Sequence, residues 1–310
     1  MRDDRSLVAV SGSLHYDIMV RAPYLPRQGE TLMGSEWWWK PGGKGGNQAM
    51  AAARHGAAVE MIGAVGKDDF GARLRASLHA AGVGSRHVAE VPAGSGMSVA
   101  LVESGGDYSA VVVSGANLTI EPARIEASAD VLRKARVLML QNEIGEAANL
   151  AAAGIVHHAG GQVLLNAAPA RKIAADFAGL IDILVVNAIE AEMLGAGVVA
   201  DLDTAAVAAR GLGQLAPTVI VTAGSKGLAA ATAGRLIKIP AHKVTRAETH
   251  GAGDVFVGAL AARLAEGASL DSAMTYANAA AALHVGAGEQ GQLAIGSAQV
   301  NAFLQSEPRL

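Results

Sequence analysis

Apolar residues run through this chain in short blocks. LVAVSG (7–12), VEMIGAVG (59–66), RVLMLQNE (136–143), QVLLNAAPA (162–170), DILVVNAIE (182–190) and TVIVTAGSKG (218–227) are rich in aliphatic side chains, and each closes on a glycine or a polar residue. Blocks of that length, bounded by turn residues, predict buried strands. Between most of them lie stretches of helical length, 45–55, 69–81, 146–158, 188–194 and 203–214. This alternation predicts an α/β fold, a doubly wound, mostly parallel sheet with helices on both faces. Ligands of such sheets collect outside the carboxyl ends of the strands, where the polar endings NE, NAAPA, NAIE and TAGSKG would sit.

Two segments, 15–40 and 96–114, break the alternation and contain no good helical pattern. MSVALVESGGDYSAVVVSG predicts a hairpin turning at Gly105, Gly106 and Asp107. HYDIMVRAP and ETLMGSEWWW predict further strands. Together they predict a small antiparallel sheet, a lid inserted into one domain spanning residues 1–310. Trp37, Trp38 and Trp39 are adjacent at the end of the first segment. The strand period puts Trp37 and Trp39 on one lid face and Trp38 on the other. One face is then available to cover a ligand and the other to pack against a second lid. The C-terminal part predicts helices at 252–267 and 269–288, with QVNAFLQ closing the chain.

Composition narrows the possibilities. With 310 residues, 51% of them hydrophobic and 17% charged, the chain can bury a large core. The net charge of −3 and the lack of any basic run make nucleic acid and anionic membranes poor partners. The absence of cysteine excludes disulfides, thiolate metal sites and a cysteine nucleophile. The start, MRDDRSLVAVSG, lacks the apolar core of a signal peptide. No run of about 18 uninterrupted apolar residues is present, so a cytoplasmic protein without a membrane span is expected.

Three stretches carry candidate chemistry. In GGKGGNQAMAAARHGA, Gly42, Gly43, Gly45 and Gly46 surround Lys44 and lead through Asn47 into a helix. Such a run lets backbone approach a ligand closely and points free N–H groups at it, although it also makes a tight turn. No Ser or Thr follows Lys44 as in a Walker loop, which favours a polar, neutral ligand over a triphosphate. In ETHGAGDVFVGALAARL, Gly251, Ala252 and Gly253 open a helix whose N–H groups make an anion pocket. Asp254 there either complements the helix dipole or reaches the pocket as a base. In NAIEAE, Asn187 and Glu190 share one face of a helix start, an arrangement that suits a hydrated Mg²⁺ or an ordinary capping box.

These stretches occur together, and the chain resembles the ribokinase family of PfkB-type carbohydrate kinases over essentially its whole length. GGKGGNQA and HGAGDVF resemble the family's two signatures, NAIE its Asn-x-x-Glu motif and TAGSKG its nucleotide loop. QNE and LNAAPA are more similar to the ribokinase branch than to the fructokinase or adenosine kinase branches. The resemblance implies an ATP-dependent sugar kinase, with D-ribose as acceptor and ribose 5-phosphate as product. It implies Asp254 as catalytic base and the amides of Gly251, Ala252 and Gly253 as the anion hole for the transferring phosphoryl group. It implies that His15, Asp17, Gly42, Gly43, Lys44, Asn47 and Glu143 hold the sugar. Asn187 and Glu190 would organise Mg²⁺ through water, while Thr222, Gly224, Ser225, Gly227 and Asn278 would line ATP. Glu248 and Thr249 lie where the family binds a monovalent cation, so K⁺ is an expected activator. A homodimer through the lid is expected too.

The chain departs from the family pattern at three places. His15 stands where Asn is usual, Glu248 replaces an Asp, and GAGEQGQLAIG (286–296) lacks the arginine common there. An imidazole is bulkier than an amide and, when neutral, offers one donor and one acceptor, so His15 bears on which sugar fits. Three rival readings exist: a kinase of another pentose, a ketohexose or a nucleoside; a non-catalytic sugar sensor on the same fold; and a nicotinamide enzyme. The last rests on GAGEQG (286–291) and the near match GAGVVA (195–200), both of which follow helical patterns where the dinucleotide fingerprint needs a strand.

Overall fold

The computed structural model describes residues 7–103, 108–245, 249–287, 289–292 and 294–306. Gly105, Gly106, Asp107 and Glu248 lie outside the described residues. In chain order the strands are β1 (Leu7–Ser11), β2 (His15–Ala22), β3 (Glu36–Gly42), β4 (Ala58–Gly66), β5 (Gly84–Val91), β6 (Gly96–Glu103), β7 (Tyr108–Val113), β8 (Val137–Gln141), β9 (Gln162–Asn166), β10 (Ile183–Asn187), β11 (Thr218–Thr222), β12 (Gly227–Thr232) and β13 (Arg235–Pro240). The helices are α1 (Lys44–Arg54), α2 (Asp69–Ala80), α3 (Pro122–Glu126), α4 (Ala129–Leu132), α5 (Glu146–His158), α6 (Ala175–Ala178), α7 (Ala188–Met193), α8 (Leu202–Gly211), α9 (Ala252–Ala265), α10 (Leu270–Gly286), α11 (Glu289–Gln292) and α12 (Ser297–Ser306).

Nine strands form one sheet in the order β13-β12-β11-β10-β9-β8-β1-β4-β5. All neighbours are parallel except at one edge, where β12 and β13 fold back antiparallel. This is the doubly wound sheet that the alternating blocks predict. Alternate side chains of the central strands feed two cores. Val8, Val10, Val137 and Met139 pack with α1, α2, α9 and α10 on one face. Ala9, Leu138 and Leu140 pack with α5 and α8 on the other. Three strands were not anticipated by the apolar blocks: β5, with Arg86, His87 and Glu90 in an edge position; the alanine-rich β12; and the half-exposed edge strand β13.

The second sheet has the order β3-β2-β6-β7. Each outer pair is antiparallel, whereas β2 and β6 run parallel at the centre, β2 following the interior strand β1 and β6 the edge strand β5. Residues 30–35, expected within the strand of the tryptophans, precede β3, and the tryptophans occupy its first half rather than its end. The sheet is tied down at its root. The Asn117 side chain accepts from the Leu14 amide at 2.9 Å and donates to the carbonyls of Leu14 and Ser114, each at 2.9 Å. Asp68 accepts from the Ser95 amide at 2.8 Å and from its hydroxyl at 2.6 Å. Tyr16 lies between two rings, Phe70 of α2 at 4.1 Å and Trp39 at 4.6 Å, both stacked nearly parallel to it.

One helix crossing brings two backbones together. α1 and α9 meet at Gly258, where a Cβ would fall 2.6 Å from the Ala51 methyl, 2.7 Å from the Gln48 carbonyl and 2.8 Å from the Ala52 nitrogen. Forcing an added methyl into such a contact costs about 1–3 kcal/mol. With no side chain at 258 the helices pack almost backbone to backbone, and their N-terminal ends converge.

At the far end of α1, His55 is buried and its Nδ1 lies 2.9 Å from the Tyr276 hydroxyl. Burial, with the charges of Arg54 and Arg263 adding to it, lowers the His55 pKa to about 4, while burial pushes the Tyr276 hydroxyl up to about 12. The folded-state value lies below the usual His value of about 6.5, so the unfolded chain binds the extra proton across that window. The associated stability is complete above about pH 6.5 and is lost as the pH falls towards 4, by about 3 kcal/mol at ~1.4 kcal/mol per unit. Chemical denaturation at several pH values should show this loss in the parent, with a flatter dependence over pH 4–6.5 in His55→Gln, which keeps a polar partner for Tyr276.

Candidate active site

The site lies at the carboxyl ends of β8, β9, β10 and β11, where the N-termini of α1, α7 and α9 and the inner end of the small sheet meet. Its centre is Asp254, in the first turn of α9. Gly251 caps that helix at φ 79, a left-handed conformation that glycine adopts without strain. The Ala252 amide is turned back onto the Thr249 carbonyl at 3.3 Å. A Cβ built at Gly253 would meet nothing within 4 Å, so that face of the helix start is open. Gly251, Ala252 and Gly253 thus bring a positive helix end beside the Asp254 carboxylate.

Asp254 is buried, and two side chains of α1 reach it. Asn47 donates to Oδ2 at 3.2 Å and Gln48 to Oδ1 at 3.0 Å. Burial raises its pKa above the ordinary carboxylate value; Lys44 and the two amide bonds pull the other way, and Glu143 adds to the rise. Glu190 is also raised by burial, with Lys44 lowering it and Asp254 raising it. Lys44, Glu143, Glu190 and Asp254, from four different parts of the chain, therefore share one electrostatic environment.

The glycine run shapes the next wall. Gly42 faces Asp17 across the β2–β3 pair so closely that a Cβ there would sit 1.9 Å from the Asp17 Oδ2. Gly43 caps α1 at φ 80. Glu143, just past β8, accepts from the Lys44 amide at 2.8 Å and from the Ser13 hydroxyl at 2.5 Å. Ser98 of β6 donates to Asp17 at 2.6 Å. His15 is buried between Gly42 and Gly96 on the neighbouring strands, and its Nε2 has no protein partner. Residues opposite each other in paired strands share a face, so His15 and Asp17 lie on the same side as Met19 and Trp38. Trp37 and Trp39 occupy the other side. Of the three tryptophans, Trp38 is thus on the face of the candidate polyol site.

The remaining positions fall into two groups. Asn187 and Glu190 form a reciprocal capping box, each side chain accepting from the other's backbone amide at 2.8 Å. One oxygen of each is engaged there, and the Glu190 carboxylate keeps a second. Thr222 ends β11, and Gly224 and Ser225 form an exposed turn. Gly227, at φ 112, lies against the end of β13, where a Cβ would fall 2.1 Å from the Ile239 carbonyl. Asn278 of α10 donates to the Pro240 carbonyl at 2.9 Å, so the loop and Asn278 meet at that same end of β13. Glu248 is not among the described residues, and no group of three or more His, Asp or Glu side chains suited to a metal occurs among those that are. GAGEQG follows helix α10, and GAGVVA follows α7, so neither has the strand context of a dinucleotide fingerprint.

Several residues that shape the site were not among those singled out from the sequence. Ser13, Gln48, Ser98, Gln141 and Asn166 enter it only through long-range pairing. Gln48 is fully buried and also donates to the Asn166 Oδ1 at 3.0 Å while accepting from Gln141 Nε2 at 2.7 Å. For Gln141 and Asn166 the hint is a polar residue at the end of an apolar block, in QNE and LNAAP; Ser13, Gln48 and Ser98 have no such mark.

Known proteins share this architecture. The model of the pfkB family carbohydrate kinases matches residues 5–293. The ribokinase of Bacillus subtilis (strain 168) is 34% identical over 278 residues, covering 90% of this chain and 92% of that protein. The deoxyribokinase of Salmonella typhi is 33% identical over 281 residues, covering 90% and 92%. The structure of Arabidopsis thaliana ribokinase complexed with ribose and ATP superposes with a TM-score of 0.89 at 29% identity, covering 97% of this chain and 99% of that one. A family match that runs through the glycine-flanked α1, the buried carboxylate at the start of α9 and the small sheet above them makes this chain a member of the pfkB family of carbohydrate kinases, and thus a sugar kinase.

Proposed function

We propose that the chain transfers the γ-phosphoryl group of ATP to a hydroxyl of D-ribose, giving ribose 5-phosphate and ADP. The observation that carries this reading is the buried Asp254 carboxylate, held by Asn47 and Gln48 beside the open N-terminus of α9. A general base must sit within hydrogen-bond reach of the proton it takes, and a helix end next to it suits a migrating anionic group. Asp254 accepts the hydroxyl proton as the sugar oxygen forms its bond to phosphorus and the bond to the ADP oxygen breaks. The amides of Gly251 and Gly253, with that of Ala252 on its release from the Thr249 carbonyl, stabilise the charge on the transferring group. Positioning and electrostatics supply most of the rate in such chemistry.

Asp17, Asn47, Glu143 and the backbone around Gly42, Gly43 and Lys44 bind the sugar hydroxyls. Thr222, Gly224, Ser225, Gly227 and Asn278 take the nucleotide. Mg²⁺, when bound, neutralises phosphate charge. Glu190, with its second oxygen, and Asn187 would hold it through water, which fits an ion that keeps several waters and takes few protein ligands. Potassium enters through the family resemblance alone, on Glu248 and Thr249.

A second copy of the chain pairs with the first through the outer face of the small sheet. Ile18, Val20, Trp37, Val99, Leu101 and Val111 share that face, and Trp37 is 68% exposed and Val111 71%. An apolar surface of that kind marks an interaction site.

Deoxyribokinases among the relatives keep the acceptor sugar the central question, and His15 is the residue that bears on it. ADP production with Mg²⁺ and K⁺, measured across D-ribose, 2-deoxyribose, other pentoses, ketohexoses and adenosine, should give the highest kcat/KM with D-ribose. A higher value for another acceptor would move the substrate. Binding of a sugar with no ADP from any acceptor would make the chain a sensor. Asp254→Asn should lower kcat by about 10²- to 10⁴-fold while calorimetry still detects the sugar. His15→Phe leaves a sugar hydroxyl without its partner and should raise KM for the preferred sugar about tenfold, with kcat changed less. Sedimentation should find a dimer in the parent and a monomer in Trp37→Glu.

A further inference from the structure

Gln48 lies within a chain of buried amides whose orientations are dictated from one end. The Val185 carbonyl can only accept, and Asn166 Nδ2 donates to it at 3.2 Å. That turns the Asn166 Oδ1 towards Gln48, whose Nε2 donates to it at 3.0 Å. The Gln48 Oε1 is thereby directed to Gln141 Nε2, 2.7 Å away. Gln141 is held on its own backbone side, where its carbonyl accepts from Asn149 Nδ2 at 2.8 Å. Gln48, Gln141 and Asn149 are fully buried, and Asn166 nearly so. Gln48 Nε2 has two protons. One goes to Asn166, and the other goes to Asp254 Oδ1 at 3.0 Å. Flipping the amide would set its oxygen against the Asn166 oxygen and against the carboxylate, while the Gln141 amide, whose Oε1 has no protein partner, follows the Gln48 oxygen. Neither contact is tolerable in a buried site.

We infer that Gln48, oriented by Asn166 and Gln141, is a positioning residue for Asp254, holding Oδ1 as an acceptor and leaving Oδ2, on the half-buried Asn47 side, to take the proton from the sugar hydroxyl. This role rests on the reading of Asp254 as the base. Gln48 does not itself line the open helix end and acts only through the carboxylate. A protonated Asp254 carrying its proton on Oδ1 would face a fixed N–H donor, so the arrangement favours the ionised carboxylate and directs any proton to Oδ2. The Asn47 bond to Oδ2 is longer, at 3.2 Å, and comes from a residue nearer solvent, so it can adjust when that oxygen changes state.

The pH dependence of kcat in the full-length enzyme tests this, because a residue that only fills space would not move it. Gln48→Leu removes the donor at similar volume, and Gln48→Glu keeps the shape but replaces the donor with an acceptor. The acid limb of the kcat profile should move up by about one pH unit in Gln48→Leu and further in Gln48→Glu, with KM for the sugar within about threefold of the parent. Gln141→Met leaves Asp254 untouched and should shift the limb in the same direction by less. It also serves if the Gln48 variants fail to fold. Folded variants whose acid limb stays at the parent position overturn the inference. Asp254→Asn, assayed in parallel, separates the two readings. If it retains turnover, the base assignment fails. If it is inactive while the Gln48 and Gln141 variants keep the parent profile, only the positioning role fails.

Discussion

The site depends on the absence of a side chain at Gly258. Two helices far apart in sequence approach there to a distance that no Cβ would permit. α1 is reached from the small sheet through the glycine run, and α9 opens after the antiparallel edge of the large sheet. Only at that spacing can Asn47 and Gln48 span to the two oxygens of Asp254. The same crossing aligns two helix N-termini on one point, so positive helix ends gather where the carboxylates Glu143, Glu190 and Asp254 raise the local negative charge. Lys44 offsets part of it. With Asp17 on the small sheet, the site is thus a balance of fixed dipoles, four carboxylates and one ammonium group, assembled by packing.

The large sheet was legible in the sequence because its central strands are buried on both faces and therefore apolar without interruption. Legibility failed at the edges for the same reason. β5 carries Arg86 and Glu90, β13 alternates exposed and half-buried residues, and the run of alanines in β12 lacks the β-branched residues that mark a strand. The parallel pairing of β2 with β6 was also hidden, since register between strands about eighty residues apart is set by where they leave the large sheet. Within the site, residues next to glycines could be read, as at Asn47 and Asp254. The rest depends on tertiary pairing: nothing local distinguishes Gln48 in a helix of small residues, or Ser13 after a glycine. Asn187 and Glu190 show the opposite difficulty. Their spacing was plain, and the structure displays the capping box that such spacing ordinarily makes.

The tryptophan cluster shows how register divides one motif between two environments. Trp39 stacks on Tyr16 and through it on Phe70, fastening the small sheet to α2. Trp38 lies on the face of His15 and Asp17, with the Arg21 guanidinium 5.3 Å from its ring centre. Trp37 is left in the open. Three identical residues in succession are thus an anchor, a wall and a free surface.

The scaffold behind Asp254 consists of Asn and Gln side chains, and these groups neither gain nor lose protons in any ordinary solution. A framework of histidines or acids in the same places would rearrange whenever one of its members titrated, and the geometry around the carboxylate would drift with the medium. Here the amide scaffold stays electrically constant while the carboxylate it holds changes state. Acidification therefore leaves the amide framework that aims this carboxylate in the same hydrogen-bonded pattern.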